Sequence, residues 1–407
     1  MLFRSGMKII KDPVHGYVEV PSALIPLLDS ATMQRLRYVR QLGFSYLVYP
    51  GAHHTRFEHS LGTMHLAGMM ARHLGLDGHE RLLVTTAALL HDIGHGPFSH
   101  AIEPLSVEFT GRSHQDVGTL MYRDDTCAIL EGIGVNIEEV ISLIQGIHPL
   151  SGIIHGELDV DRMDYLLRDA HYTGAPYGTV DAHRLIRNTS IVDGRMVLEE
   201  AGINAAESLL IARTLMRPAV YFHHVSRIAE MMFQGAVMAH IKNDGAMRLA
   251  DLLLSDDGSC MHELLNSPDP AARDLAMRIY QRRLYKRALY VGRDQVNAAR
   301  MTQFSPYPRR NEIAAAIAGE AGLDPSRVLL DIPPFPGDMS LHVQVQNRNR
   351  VVGLAALSPL LNTLNETRRG QWRLGVYTPP EHRQSVADIA AKILHVKPQT
   401  TQGQLFG

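Results

Sequence analysis

From about residue 22 to 300 the apolar side chains recur at intervals of three and four, in stretches such as Ser60 to Leu74, Leu82 to Ile93, Ala205 to Met216 and Val225 to Ile241. That is the period of helices that each bury one face, so a helical bundle is expected. Strand-like alternation is confined to two places. Lys8 to Ile10 and Tyr17 to Val20 flank Asp12-Pro13-Val14-His15-Gly16, and Ile191 to Leu198 runs through Asp193-Gly194, a pair suited to a tight hairpin turn. After about Arg300 the pattern changes. Asn311 to Ala321 and Gln384 to Leu394 read as helices, Val328 to Ile332, His342 to Gln346 and Trp372 to Tyr377 as strands, and Pro333 to Gly337 breaks the chain. The expected fold is mainly α, with small β-ribbons beside the bundle. Residues 1–300 would form the main domain with a helical extension, 301–398 a small C-terminal α/β module, and 399–407 a flexible tail. A chain of 407 residues suits this division, because single cores rarely grow past roughly 250–300 residues.

The balance of 45% hydrophobic and 20% charged residues is that of a globular protein in water. A formal net charge of −2 provides no global basic field, so nucleic acid is not indicated, whereas a small phosphorylated ligand could be held by a local cluster of cations. Cys127 and Cys260 stand far apart in no ligand spacing, which points to a reducing, cytoplasmic setting. No apolar run approaches the roughly 18 residues needed to cross a bilayer, and no membrane partner is expected.

Histidine is the residue whose placement stands out. Of 22 in the chain, His53, His54, His59, His65, His73, His79, His91, His95, His100 and His114 crowd into one region. Within it, His91-Asp92 ends the apolar segment Leu82 to Leu90 and precedes Ile93-Gly94-His95-Gly96-Pro97. An imidazole and a carboxylate side by side at a helix end can both reach one cation, with Gly94 and Gly96 letting the backbone turn sharply. A helix C-terminus favoured by a cationic His is the bland alternative. His59, in Arg56-Phe57-Glu58-His59-Ser60-Leu61-Gly62, and Asp161, in Asp159 to Tyr165, would complete a set of two imidazoles and two carboxylates drawn from three helices. Such a set suits one divalent ion (Mn, Fe, Ni, Zn or Mg). With no thiolate, it would leave positions open for water and substrate.

Around it lie His95, His100, Glu103 and His114, an imidazole-rich group able to pass protons at neutral pH. Arg56, Arg162, Arg213 and Arg217 offer cations for a phosphate chain. Asp161, Tyr165 and Asp169 fall on one helical face at spacings of four, and Arg217, Tyr221 and His224 form a similar stripe.

In order along the chain, Asp12 to Gly16, Gln34 to Tyr38, Gln41-Leu42-Gly43, Tyr49 to Ala52, Thr55 to Gly62, His91 to His100 and Asp159 to Asp169 closely resemble the SAM-and-HD-domain deoxynucleoside triphosphate triphosphohydrolases and their bacterial and archaeal relatives, without the SAM domain. The resemblance covers roughly residues 7 to 240 and implies an HD-domain helical bundle. By that likeness His59, His91, Asp92 and Asp161 are metal ligands, and His95, His114 and Glu103 handle protons, with His100 near the phosphorus under attack. The implied reaction is release of whole triphosphate from a deoxynucleoside triphosphate. Arg56, Arg162, Tyr165 and Arg213 would bind phosphates, Gln41 and Asp169 the 3′-hydroxyl, and Leu42 with Tyr221 the sugar. A guanine-nucleotide activator site at a subunit interface is implied at Lys8, Ile9, Asp29, Gln34 and Arg37, and with it a homo-oligomer, dimer or tetramer. This chain departs from the family pattern at Lys11, Glu103, Gln115, Arg162, Arg217 and His224. Two other readings stay open: an HD phosphohydrolase acting on a monophosphate, cyclic nucleotide or alarmone, and a nucleotide-sensing module with little turnover.

Overall fold

The computed structural model describes residues 7–397 apart from 124, 243–244, 340–342 and 349; the expected tail, 399–407, lies outside the described residues. The chain forms two compact units. The first comprises the residues up to Tyr221 together with Ala250–Cys260 and Asp338–Leu364, and the second comprises Phe222–Leu249, Met261–Gly337 and the residues from Asn365 onward.

The first unit is built round the helix Arg56–His73, which is buried on nearly every side from Arg56 to Ala71 and so carries no polar stripe. Glu58 fixes its start by accepting the Thr55 N–H at 2.6 Å. Against it pack Gly78–Leu90, entered through an Asp77 and Glu80 capping box, and Val160–Thr173, capped by Asp159, whose Oδ1 accepts the Arg162 N–H at 2.7 Å. The antiparallel ribbon Met7–Asp12 with Gly16–Pro21 lies beside them, as expected. The hairpin Thr189–Val192 with Arg195–Glu199 turns at Asp193 and Gly194, both left-handed with φ of 50° and 72°. A second hairpin, Gln344–Asn347 with Arg350–Gly353, adds to it through a parallel pairing of Leu198 with Val345. That pairing joins segments far apart in sequence, which local periodicity does not reveal.

In the second unit His224–His240 packs on Pro270–Tyr280. A three-stranded antiparallel sheet places Arg373–Thr378 between Lys286–Gly292 and Leu329–Asp331. Lys286–Gly292 corrects the expectation of helix up to about residue 300; its Leu289, Tyr290 and Val291 favour a strand, and pairing with Arg373–Thr378 decides it. Trp372, buried, donates its indole N–H to Pro333 O at 2.8 Å, and the helices Tyr307–Glu320 and Arg383–Ile393 cover the sheet.

Candidate metal centre

Three helices deliver the cluster. His59 sits one turn into Arg56–His73, His91 closes Gly78–Leu90, and Asp161 lies in the first turn of Val160–Thr173. One donor atom from each lies within 4.8 Å of the others. Asp161 Oδ1 is 2.9 Å from His59 Nε2 and 3.7 Å from His91 Nε2. Asp92 adjoins them, with Oδ2 3.7 Å from His59 Nε2 and Oδ1 3.4 Å from His91 Nε2.

Hydrogen bonds set which nitrogens are free. His91 Nδ1 lies 2.8 Å from Ala88 O, and because a carbonyl only accepts, Nδ1 carries the proton. The buried Nε2 keeps its lone pair and has no hydrogen-bond partner among the described residues. His59 turns Nδ1 to Asp164 Oδ2 at 2.7 Å, which likewise aims Nε2 at the cluster. Two such lone pairs and two carboxylates fit a divalent cation, and the missing thiolates separate the set from a closed structural zinc site. Burial by itself would lower the His59 pKa, yet hydrogen bonds to Asp161 and Asp164 and the charge of Asp92 bring it up to about 10. The pocket calls for positive charge.

Asp164, to which the sequence alone assigns no role, anchors this arrangement. It is fully buried and meets His15 Nε2 at 2.6 Å besides His59. It also accepts Arg168 Nε and Nη2, each at 2.9 Å, while Arg168 Nη1 donates to Asp12 Oδ2 at 2.9 Å. Gly62 makes room for it, since a Cβ there would stand 1.8 Å from Asp164 Oδ1. The signal was the one-turn spacing Asp161, Asp164, Arg168, legible only once the helix faces are known.

The chain turns at Gly94 and Gly96 as expected, with His95 N–H donating to Asp92 O at 3.1 Å and Ser99 N–H to Gly96 O at 3.0 Å, but not through left-handed glycines. Neither has positive φ; the left-handed residues are Phe98 and Ser99, with φ of 55° and 52°. Gly94 is needed for close approach instead, because a Cβ would meet His114 O at 2.0 Å. That approach brings His114 over His95, with ring centroids 4.1 Å apart and nearly parallel planes. His95 Nε2 is 3.3 Å from Asp92 Oδ1, and burial, then the charges of Arg56 and His114, hold its pKa well below the usual range. Glu103 bonds His114 Nδ1 through one oxygen and meets His100 Nδ1 at 3.0 Å through the other. Burial would raise the Glu103 carboxyl, but those two histidines hold it well below the usual carboxylate range.

A cavity opens on the cluster, lined by Gln41, Arg56, His95, His100, His114 and Tyr165 along with the four acidic and imidazole donors. Gln115, Ile144, Ile154 and His155 also line it; Gln115 was marked only as a departure from the family pattern, and the other three were missed. Arg56 is buried, donating Nη1 to Asp92 Oδ2 at 2.6 Å and Nε to Ser99 Oγ at 2.7 Å, while Nη2 has no partner among the described residues. The remaining substrate candidates are not among the lining residues. Arg162 pairs with Asp159 at 2.7 Å and Arg213 with Glu157 at 3.0 Å. Leu42 is packed partly buried against the bundle. A π-helical turn, Arg217–Tyr221, presents Tyr221, whose hydroxyl donates to Asp169 Oδ2 at 2.9 Å. Asp169 Oδ1 meets His54 Nε2 at 2.8 Å, so both its oxygens are engaged.

The activator candidates are contiguous at the surface. Lys8 Nζ is 3.4 Å from Asp29 Oδ1, Gln34 Nε2 donates to Leu28 O at 2.8 Å, and Arg37 Nε donates to Gln34 Oε1 at 2.8 Å. Ile9 is exposed beside them. Among the described residues no helix is long and apolar enough to cross a membrane.

Residues 56–169 match the HD domain family, and residues 180–405, more than half of the chain, match the family described as HD associated region. An uncharacterized protein of Methanocaldococcus jannaschii is 33% identical over 95% of this chain and 84% of its own length. The deoxynucleoside triphosphate triphosphohydrolase SAMHD1 of Homo sapiens is 30% identical over 71% of this chain, which spans 55% of that relative. Among solved structures, a phosphohydrolase from Bacteroides thetaiotaomicron aligns with a TM-score of 0.71 at 26% identity, covering 91% of this chain and 99% of that one. A His–His–Asp cluster at the meeting of three helices, in a chain with these relatives, makes the protein a member of the HD-domain metal-dependent phosphohydrolases that carry the HD associated region.

Proposed function

We propose that the chain hydrolyses deoxynucleoside triphosphates to deoxynucleoside and triphosphate, with one divalent cation held by His59, His91, Asp92 and Asp161. The observation that carries this reading is the stacked His95–His114 pair, braced by Glu103, in the cavity that opens on those four residues. When bound, the cation supplies Lewis acidity toward a phosphoryl oxygen and toward the attacking water.

The chain's own groups then have separable tasks. Water adds to the α-phosphorus, the bond from that phosphorus to O5′ breaks, and the proton that O5′ needs comes from His114, oriented by Glu103; His114 is reprotonated by the proton that the water gives up. His95, held neutral, and His100 flank the reacting phosphorus. The unpartnered Arg56 Nη2 faces the developing negative charge. Arg162 and Arg213 flank Tyr165 and take the outer phosphates, each by giving up part of its pairing with Asp159 or Glu157. Asp169, locked between His54 and Tyr221, reads the 3′-hydroxyl together with Gln41, and the Tyr221 ring with Leu42 closes the sugar pocket against a 2′-hydroxyl.

The contiguous surface group Lys8, Ile9, Asp29, Gln34 and Arg37 supports a guanine-nucleotide activator site at a contact between copies of the chain, with a homodimer or homotetramer as the active form in the cytoplasm. The test is a panel of four dNTPs and four NTPs with manganese, with and without GTP or dGTP, read by chromatography. Deoxynucleoside plus intact triphosphate is expected. Monophosphate with pyrophosphate, or release of single phosphates, would replace this reading with another phosphoester substrate; tight binding without turnover would favour a sensor.

A further inference from the structure

The loop that leads from His95 to His100 contains two consecutive left-handed residues, neither of them glycine: Phe98 and Ser99. That region crowds the Cβ of any residue but glycine, so a pair persists only where the surroundings over-determine it. Part of what does so is local. Ser99 N–H donates to Gly96 O at 3.0 Å, and the Phe98 ring stacks on Phe44 at 4.2 Å.

The remainder comes from a segment far along the chain, Leu254-Ser255-Asp256-Asp257. Asp257 is buried, and its Oδ1 accepts the Phe98 N–H at 2.7 Å. Its Oδ2 accepts the Arg40 N–H at 3.1 Å and Arg40 Nη1 at 3.2 Å. Burial pushes the carboxyl up to about 6, so at neutral pH it is ionised and both oxygens accept. Arg35 ties the same two stretches together a few residues away, donating Nη1 to Ser255 O at 3.0 Å and Nη2 to Ile93 O and His95 O at 2.7 and 2.8 Å.

We propose that Asp257 is a positioning residue for the metal centre, clamping Phe98 and Arg40 so that Ser99 holds Arg56 against Asp92. The remaining links are short. Ser99 Oγ donates to Arg40 O at 2.7 Å and accepts from Arg56 Nε at 2.7 Å, and Arg56 Nη1 reaches Asp92 Oδ2 at 2.6 Å. Asp257 belongs neither to the cluster nor to the cavity lining, and its hydrogen bonds go to Phe98 and Arg40, so its effect passes through the loop. The inference rests on the metal assignment of the preceding subsection and not on the identity of the substrate.

The experiment compares wild type, Asp257→Asn, Ser99→Ala and the double variant by manganese titration calorimetry and by amide hydrogen exchange. Asn leaves one acceptor and turns an amide NH2 toward a backbone N–H. The manganese dissociation constant should rise about threefold to tenfold in each single variant, below or at the low end of what removal of a direct partner of a ligand costs. Because both act along one route, the double variant should be no worse than the worse single one. Exchange should quicken in peptides covering residues 94–101 and 38–42 and stay unchanged in residues 228–236. Asp257→Glu, which restores two acceptor oxygens, should recover part of the affinity. Wild-type affinity and exchange in Asp257→Asn, or additive effects in the double variant, would overturn the proposal. Should Asp257→Asn fail to fold, Ser99→Ala alone decides the second link: unchanged manganese affinity there breaks the route. His91→Gln serves as the control, since manganese binding at wild-type strength in that variant would remove the metal assignment itself, while the exchange data would still report on the clamp.

Discussion

At the residue scale the candidate metal centre is defined less by the groups that could hold a cation than by what holds those groups. Asp164 accepts a hydrogen bond from His59 Nδ1–H and is itself fixed by Arg168 and His15, so the lone pair on His59 Nε2 has one direction available. Gly62 is the price of that closeness. Gly62→Ala would place a methyl group 1.8 Å from Asp164 Oδ1, and the carboxylate would have to leave the His59 ring. The expected result is a loss of about 1–3 kcal/mol in unfolding free energy, together with weaker manganese binding, read by thermal melts with and without manganese. Equal shifts in both melts would mean that Gly62 serves packing alone. Here the limits of sequence reading are physical. His91-Asp92 and the histidines after it are adjacent enough in the chain to be seen directly. Asp164, His15 and Asp257 act through contacts that span 105, 149 and 159 residues, which no spacing rule registers.

At the scale of elements, the helix Arg56–His73 has its period and start visible in the chain, whereas its burial on nearly every side is not, because Ser60, Thr63 and His65 are polar residues scattered round the helix and give no sign that they are enclosed. His65 shows the consequence. Burial, then the charges of His15 and Arg72, lowers its pKa from 6.5 to about 4, with Asp12 opposing and His183 adding to the fall. A folded-state pKa below the unfolded one means that the neutral ring's contribution is complete above about pH 6.5 and fades as pH falls toward 4. Melting temperature should therefore decline over that window, and His65→Gln should flatten the decline. An identical acid limb in the variant would assign the loss to other groups. The strand Lys286–Gly292 was overlooked for a related reason: its partner Arg373–Thr378 lies some eighty residues on, and a short strand is recognised by its pairing.

Across the whole molecule, the described residues form two units that exchange segments along the chain. Periodicity distinguished helical from mixed stretches but could not show that Ala250–Cys260 and Asp338–Leu364 return to the first unit, since that depends on long-range packing. A cation that binds only the folded cluster should stabilise the whole first unit by mass action, by about 2.7 kcal/mol at a hundredfold excess over its dissociation constant. Calorimetric melts after chelation and after manganese addition should differ accordingly, and the difference should vanish in His91→Gln. A manganese shift of the same size in His91→Gln would place the stabilising ion elsewhere.

The most direct measurement is metal content and hydrolysis in Asp92→Ala beside wild type. Wild type should hold one divalent ion per chain and convert a deoxynucleoside triphosphate to deoxynucleoside and triphosphate. The variant, deprived of the carboxylate that lies between both imidazoles and Arg56, should lose the ion and at least a hundredfold in rate, on the order of 3 kcal/mol of barrier. Full activity of Asp92→Ala with added manganese would contradict the account.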